Sequence, residues 1–396
     1  MPQNNTSQST SHLETPGDLI ANIPGILGFF PAESIIFAAM FQEGQGTRYT
    51  LGPVVRIDIN ELELLDDVGT ALQSVEADLI FTFIISEKVT SVAIEQTVEK
   101  LFTTAESGVI DITACWLTTG IYSGESYQLA FGPQPDDLNT TYTGMSDWEH
   151  GRIAPVTQAV ATKNLLEQGH LPEINRRDAY AAFDRGNHSL NEEDIWELAL
   201  QAKTSGDEIL HAIRHHPHGT AFDAALEKFD SIIHSAAAVR ADNTINPLQE
   251  RPDILRDTAT FLTSVLLRDA ILHYCVMHPE TAADLFLAVA KTFDHTIRSN
   301  ALCLYSLAAI KLNLGMKAIP ALDASLATHP EHSFSGLLRH GLIDGQFDSM
   351  ITACLRGNEM VRNQYSSASM AGELTAKVES PDPEEDGGGA EPVQAA

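Results

Sequence analysis

Four closely spaced histidines are the residues of this chain that most resemble metal ligands. The segment HAIRHHPH contains His211, His215, His216 and His218. His211 and His215 are four residues apart, and this spacing places two imidazoles on one face of a helix. No carboxylate follows at ligand spacing, and Pro217 ends the predicted helix. A solvated, His-rich helix end is therefore the preferred interpretation, with His211, His215 and His218 as the alternative metal ligands. We expect no cofactor.

A turn rich in glycine, phenylalanine and proline is the most distinctive local motif. It contains Gly28, Phe29, Pro31 and Ser34, and it leads into an apolar run that ends at Phe41. In open α/β sheets, ligands bind beyond the carboxyl ends of the strands, whereas this turn enters a strand at its amino end. We therefore interpret these residues as structural, and a partner-docking edge is the alternative.

Two adjacent charged residues, Arg268 and Asp269, interrupt the otherwise apolar segment from Phe261 to Met277. The segment is apolar almost all round, which predicts a buried central helix within 253–277. A buried charge is costly unless it is paired. We therefore expect a salt bridge to another helix or to the first domain, with a catalytic carboxylate in a cleft as the alternative.

Arg152 lies beside a predicted interdomain linker, where clefts often hold ligands. It is an interaction candidate, and a solvated loop is the simpler interpretation. The sequence has no G-x-G-x-x-G, P-loop, G-x-S-x-G or H-E-x-x-H motif. No catalytic residue can be assigned from spacing alone, so enzymatic activity is disfavoured, although an unusual enzyme stays open.

The elements that must position these residues are of two kinds. Apolar or alternating runs and amphipathic segments follow the order β-β-α-β-α-β. This order predicts a three-layer α/β domain over 16–131, with a mixed or mainly parallel sheet. Residues 132–151 are rich in Pro, Gly, Asp and Thr and are predicted to be a linker, and 152–357 is predicted to be a helical domain. The tails 1–15 and 358–396 are predicted to be largely disordered.

The chain is strongly acidic, with 24 Lys and Arg against 54 Asp and Glu and a net charge of −30. This charge repels nucleic acids and anionic lipids and favours basic partners. The four cysteines form no C-x-x-C pair, no signal peptide is recognisable, and the longest apolar runs are about half the roughly 20 residues of a membrane span. We expect a cytoplasmic protein without a membrane span.

Several segments of the chain resemble one family. They are the opening DLIANIPGILGFFPAESIIF, from Asp18 to Phe37, and the later motifs at Glu149–Arg152 and Leu267–Leu272. Together with the terminal helices they resemble a bacterial, mainly actinobacterial, family described as domain of unknown function 4192. The resemblance spans residues 16–357 and implies a two-domain fold, but no chemistry.

The terminal helices also resemble a tetratricopeptide hairpin. The matching positions are Leu304, Leu307, Ala308, Gly315, Ala318, Leu322, Ser325, Leu326 and Pro330. The gap from Gly315 to Ala318 is two residues shorter than usual, so an ordinary αα-hairpin is the alternative. These observations favour a non-enzymatic interaction or regulatory protein whose helical domain binds a protein or peptide partner. The alternative is an enzyme or small-ligand-binding protein that uses the cleft between the two domains.

Overall fold

The computed structural model describes residues 15–44, 49–133, 146–186, 190–215, 219–241, 247–343 and 345–366. The chain forms two compact units, Met1–Asp184 with Leu312–Phe347, and Arg185–Lys311 with Asp348–Ala396. It therefore leaves the first unit after Asp184 and returns to it at Leu312. Most of both predicted tails, residues 134–145 of the predicted linker, and His218 lie outside the described residues.

The first unit contains a mixed six-stranded sheet. Its strands are β1 (Ser34–Gln42), β2 (Tyr49–Asp58), β3 (Leu79–Ile85), β4 (Ile112–Thr118), β5 (Ser126–Phe131) and β6 (His150–Arg152). Their spatial order is β2-β1-β3-β4-β5-β6, and β3 and β4 are parallel while the other neighbouring pairs are antiparallel. Because β1 pairs with both β2 and β3, it is a central strand, and this explains its continuous apolar run.

Helices cover both faces of this sheet. The helices of the first unit are α1 (Pro16–Leu27), α2 (Leu65–Ser74), α3 (Val92–Glu106), α4 (Ser146–Glu149), α5 (Val160–Glu167), α6 (Arg176–Ala181), α14 (Gly315–Thr328) and α15 (Ser333–Ile343). Ile20 and Ile23 of α1 pack with Trp116 on one face, while Leu72 of α2 and Leu101 of α3 pack on the other. The predicted three-layer α/β arrangement is thus present.

The second unit is helical. Its elements are α7 (Glu192–His215), α8 (Thr220–Ala241), α9 (Pro252–Phe261), α10 (Val265–Ala270), α11 (Tyr274–Met277), α12 (Pro279–Thr292), α13 (His295–Lys311) and nearly all of α16 (Phe347–Tyr365). Helix α13 packs against α12 and is buried along most of its length. The predicted fold class, an α/β unit together with a helical region, is confirmed.

Several domain boundaries differ from the predicted ones, because contacts between distant segments of the chain determine them. Strand β6 pairs with β5 at Ser126 and Gln128, so the end of the predicted linker belongs to the sheet. Helices α5, α6, α14 and α15 belong to the first unit, although they lie within the predicted helical domain. The two helices of the predicted hairpin, α13 and α14, fall in different units, and α14 packs against α15. These contacts do not confirm a tetratricopeptide-like hairpin, which stays a prediction.

The predicted central helix within 253–277 is wrong as a single element, because it is divided into α9, α10 and α11. Hydroxyl groups cause the first break. The Thr263 hydroxyl donates to the Thr260 carbonyl at 2.8 Å, and Ser264 caps α10 by accepting the Leu267 N–H at 3.3 Å. Within the described residues no single helix is long and apolar enough to cross a membrane. Helix α9 together with Val265–Met277 has the length and apolar composition, but the pair is bent by 102°.

Helix α7 shows the opposite difference. The sequence predicts two helices here, 191–203 and 205–215, with Ser205 as an N-cap, whereas α7 is one continuous helix. Gly206 is buried in the middle of α7, and a Cβ atom there would lie 2.3 Å from Thr263 Oγ1. The missing side chain lets α7 approach the segment after α9 closely. Close packing therefore outweighs the low helix propensity of glycine.

Candidate functional site

The glycine-rich turn at Gly28 is fixed by hydrogen bonds at both ends. Gly28 has φ 77° and ends α1, and its N–H donates to Pro24 O at 2.9 Å. The Glu173 N–H donates to Gly28 O at 2.8 Å, and the Phe30 N–H donates to Glu173 O at 2.9 Å. Phe29 and Pro31, the two residues that flank Phe30, are buried. The turn is therefore a rigid part of the first unit.

The turn lies at the carboxyl edge of the parallel strands. Because β1 runs antiparallel to β3, Ser34 at the start of β1 pairs with Ile85 at the end of β3. We expected the turn before β1 to lie away from the ligand-binding edge, because it enters its strand at the amino end. This expectation is wrong, because the pairing of Ser34 with Ile85 places the turn at that edge. Arg152, at the end of β6, reaches the same edge. Four strand spacings separate β1 from β6, which is roughly 19 Å.

Polar side chains line this edge and bind one another. Glu33, whose φ is 44°, accepts hydrogen bonds from the Ser86 hydroxyl at 2.9 Å and the Glu87 N–H at 3.1 Å. Ser34 Oγ donates to the Ala32 carbonyl at 2.7 Å and accepts from Arg56 Nε at 2.9 Å. Among the described residues no base contacts the Ser34 hydroxyl, so these contacts do not activate it for attack. These contacts support the structural interpretation of the turn.

Arginine and aspartate side chains extend from this edge to the returning helices. Asp58 at the end of β2 pairs with Arg56 and with Arg176 of α6. The Arg176 guanidinium lies 5.2 Å from the centre of the Tyr180 ring. The Tyr180 hydroxyl donates to Asp323 of α14 at 3.2 Å.

This chain of contacts ends on α15. Arg339 Nε donates to the other carboxylate oxygen of Asp323 at 2.5 Å. These ion pairs and hydrogen bonds attach α14 and α15 to the sheet through α6.

Arg152 also has a structural contact. Its Nη1 atom donates to Gly124 O at 2.7 Å, and Gly124 N–H donates to Ile153 O at 2.8 Å. The Ser123 hydroxyl accepts the Val156 N–H at 3.0 Å. Arg152 therefore holds the turn between β4 and β5 against the end of β6.

Arg268 and Asp269 form their ion pair within α10. Arg268 is 6% exposed, and its Nη2 lies 2.7 Å from Asp269 Oδ1. Arg268 also contacts a second helix, because its Nη1 donates to Asn300 Oδ1 of α13 at 3.0 Å. The Asn358 side chain of α16 donates to Asp269 O at 2.6 Å. The pair thus joins three helices of the second unit.

His211 and His215 lie on one face of α7, as the spacing predicts. Their rings stack with centroids 4.0 Å apart, and His215 Nδ1 lies 2.9 Å from the His211 carbonyl oxygen. That contact occupies one nitrogen of His215. Among the described residues no group of three or more His, Cys, Asp or Glu side chains could hold a metal ion.

The thiols are poorly suited to nucleophilic chemistry. Cys115, Cys275 and Cys303 are buried and Cys354 is half-buried. Burial raises the pKa of the Cys354 thiol to about 11 and raises the pKa of Cys115 further. Because the thiolate is the reactive form, these groups are inert at neutral pH.

A serine and a histidine are in contact in the first unit, and no pattern in the sequence indicates this contact. His332 Nδ1 lies 2.7 Å from Ser335 Oγ, which also contacts Ser325 Oγ at 2.8 Å. Both serines are fully buried, so no substrate reaches them. The Ser335 N–H donates to His332 Nδ1 at 3.3 Å, which makes His332 the N-cap of α15.

An apolar face on α7 is the main feature that the sequence analysis missed. Trp196 is 66% exposed and Leu200 is 49% exposed, one helical turn apart, while Ile195 points into the core. The i, i+4 spacing of Trp196 and Leu200 was a visible signal. It was not distinguishable from a buried stripe, because apolar residues also line the inner face of this helix.

A protein-family model matches most of the chain. The model of the family described as Domain of unknown function (DUF4192) matches residues 16–347. No curated protein and no solved structure matches the chain. The matched region begins at the first residue of α1 and ends at Phe347, the last residue of the first unit. The chain belongs to the family of the Domain of unknown function (DUF4192).

Proposed function

We propose that this chain is a cytoplasmic, non-enzymatic interaction protein, and that its second unit binds a protein partner through the outer face of α7. The exposed pair of Trp196 and Leu200 carries this proposal. Single exposed apolar residues are ordinary. A Trp that is 66% exposed with a Leu on the next turn is different, because Trp is enriched among the residues that dominate protein interfaces.

Several observations support binding rather than catalysis. The polar groups at the carboxyl edge of the sheet are bound to one another, the buried serines are inaccessible, and burial raises the pKa of the Cys115, Cys275 and Cys354 thiols. Helical partners recognise apolar residues at i and i+4 on a second helix, which is the spacing of Trp196 and Leu200.

Site-specific photo-crosslinking tests this proposal. A photoreactive amino acid at position 200 in the full chain should trap a defined protein in native cells. The same amino acid at Met360, which is 72% exposed on α16, is the matched control. The position-200 adduct should disappear in the Trp196→Ala variant. Identical adducts at both positions, or none at 200, would refute the proposal.

Small-molecule binding is a second candidate function, favoured by one cleft. A cleft of about 470 Å³ in the first unit is lined by Asp66, Lys100, Thr104, Val109 and their neighbours. Its size is sufficient for a small ligand. The Thr104 hydroxyl already donates to Lys100 O at 2.8 Å, so its proton is not available for a hydrogen bond to a ligand. A saturable rise in melting temperature with a metabolite would support this candidate, provided that Lys100→Ala abolishes the rise.

A further inference from the structure

We infer that the outer face of α7 binds a basic amphipathic helix of a partner protein. This inference rests on the proposed function and specifies the partner's chemistry. The apolar residues of the face are Trp196 and Leu200, and the carboxylates beside them are Glu193 and Glu197. Glu193 lies three residues before Trp196, and Glu197 lies three residues before Leu200. Residues at this spacing are neighbours on the surface of a helix.

These two carboxylates are not neutralised by the protein. No hydrogen bond or ion pair joins the Glu193 carboxylate to another described residue, and the described contact of the Glu197 carboxylate is the Gln201 side-chain amide at 3.1 Å. The adjacent acid differs, because both oxygens of Glu192 accept from Arg185 Nη2 at 3.0 Å. Glu193 and Glu197 therefore present negative charge next to an exposed apolar pair.

Lysine or arginine in a partner matches this arrangement. A cation beside Glu193 and Glu197 would gain a charge-assisted hydrogen bond, and a cation over the exposed Trp196 ring would gain a cation–π contact. An apolar residue one turn away would cover Leu200. A helix with alternating basic and apolar positions at i, i+3 and i+4 supplies both kinds of group on one face.

Other occupants fit this face less well. A second copy of the chain carries the same net charge of −30 and would bring acid against acid. An amphipathic helix that lies on an anionic membrane has Lys and Arg along its polar face. Helix α7 has only Lys203 and Arg214 against six acidic residues, so it repels such a surface.

Peptide titration of the full-length protein tests the inference. The probes are a synthetic helical peptide of Leu and Lys and a peptide of the same Leu pattern with Glu in place of Lys. Calorimetry should show binding of the Leu/Lys peptide and none of the Leu/Glu peptide. The variant with Trp196→Ala and Leu200→Ala should bind about tenfold more weakly, as expected when interface hot spots are truncated. The variant with Glu193→Gln and Glu197→Gln should bind more weakly and with less dependence on salt.

Val92→Ala is the matched control, because Val92 is 67% exposed on α3 of the first unit. It should leave the affinity unchanged. Trp196 provides a second readout. Since Trp116 is buried and Trp148 is packed, acrylamide quenching of fluorescence reports mainly Trp196, and the Leu/Lys peptide should reduce it.

Equal affinity for both peptides, or an undiminished affinity of the Trp196 and Leu200 double variant, would overturn the inference. Binding of the wild-type protein to phosphatidylserine vesicles through α7, or self-association that the double variant abolishes, would also overturn it. A crosslink at position 200 that persists while the Leu/Lys peptide does not bind would leave the proposed function intact. Peptide binding without any cellular crosslink at position 200 would instead count against the proposed function alone.

Discussion

Arg176 Nη1 lies 3.5 Å from Asp58 Oδ2, and this contact joins α6 to the end of strand β2. Asp58 also accepts a hydrogen bond from Arg56, whose side chain is only 11% exposed. One carboxylate thus neutralises a nearly buried guanidinium and a half-exposed one. Its loss should therefore affect the first unit more than the loss of an ordinary surface acid.

Asp58→Ala should lower the free energy of unfolding of the first unit by about 1–3 kcal/mol, because Arg56 is left without its carboxylate. Urea unfolding followed by tryptophan fluorescence, to which buried Trp116 of the first unit contributes, measures this change. Glu167→Ala is the control, because it removes the exposed Lys163–Glu167 pair of α5 in the same unit, and surface pairs contribute little. Equal effects of the two substitutions would contradict this role of Asp58.

Gly28→Ala should destabilise the first unit by about 1–2 kcal/mol, because φ 77° strains an L-residue and because its Cβ would lie 2.7 Å from Met316 Cγ. Gly124→Ala isolates the two causes, since Gly124 has φ 83° and no atom within 4 Å of an added Cβ. It should cost less than Gly28→Ala in thermal denaturation. A larger effect at Gly124 would show that the Met316 contact is unimportant.

His332→Ala should destabilise the first unit by about 1 kcal/mol through loss of the α15 N-cap. His332→Asn should restore part of this stability, because asparagine is a strong N-cap residue. Hydrogen exchange of the amides at the start of α15 is the appropriate measurement, since it separates local fraying from global unfolding. Identical exchange in both variants would argue that packing, rather than capping, is the role of His332.

The stability of the second unit should fall as the pH decreases from about 6.5 to about 4. Burial, and then the nearby Arg362 charge, lowers the pKa of His273 to about 4, from its ordinary value of 6.5. Between these values the unfolded chain binds a proton that the folded chain does not, so stability is fully present above pH 6.5 and is lost through this window. The contribution is about 1–2 kcal/mol after allowance for partial exposure.

Two variants test this pH dependence. His273→Gln should flatten the unfolding free energy between pH 4 and 6.5. Arg362→Ala removes a guanidinium whose Nη1 lies 3.1 Å from His273 Nε2, and it should raise the pKa of His273 in NMR titrations. An unchanged histidine titration in Arg362→Ala would disprove the electrostatic part of the explanation.

Local patterns in the sequence were sufficient for much of the architecture. The apolar run from Ser34, the alternation before Asp58 and the helical spacing in α2 and α3 each predicted the correct element. Strands and helices each repeat over a few neighbouring residues. The order of apolar and polar residues within a short segment therefore indicates which element forms. Family membership was likewise recognisable from Asp18–Phe37.

Other features depended on contacts between distant segments. The break at Thr263 was missed because its hydroxyl competes with the helix, and the continuation of α7 was missed because Gly206 packs against Thr263. The N-cap role of His332 and the ion pair between Arg176 and Asp58 have no local signature. Hydrogen bonds of this kind form only after the chain has brought the partners together.

The sequence by itself determined the fold class, the acidic charge and the identity of the distinctive turn at Gly28. Only the tertiary structure decided that this turn lies at the carboxyl edge of the parallel strands, because that position follows from antiparallel pairing of Ser34 with Ile85. It also decided which apolar residues of α7 face outward. Helical spacing places Trp196 and Leu200 on one face, but packing of the opposite face against α8 and α9 leaves them exposed to solvent.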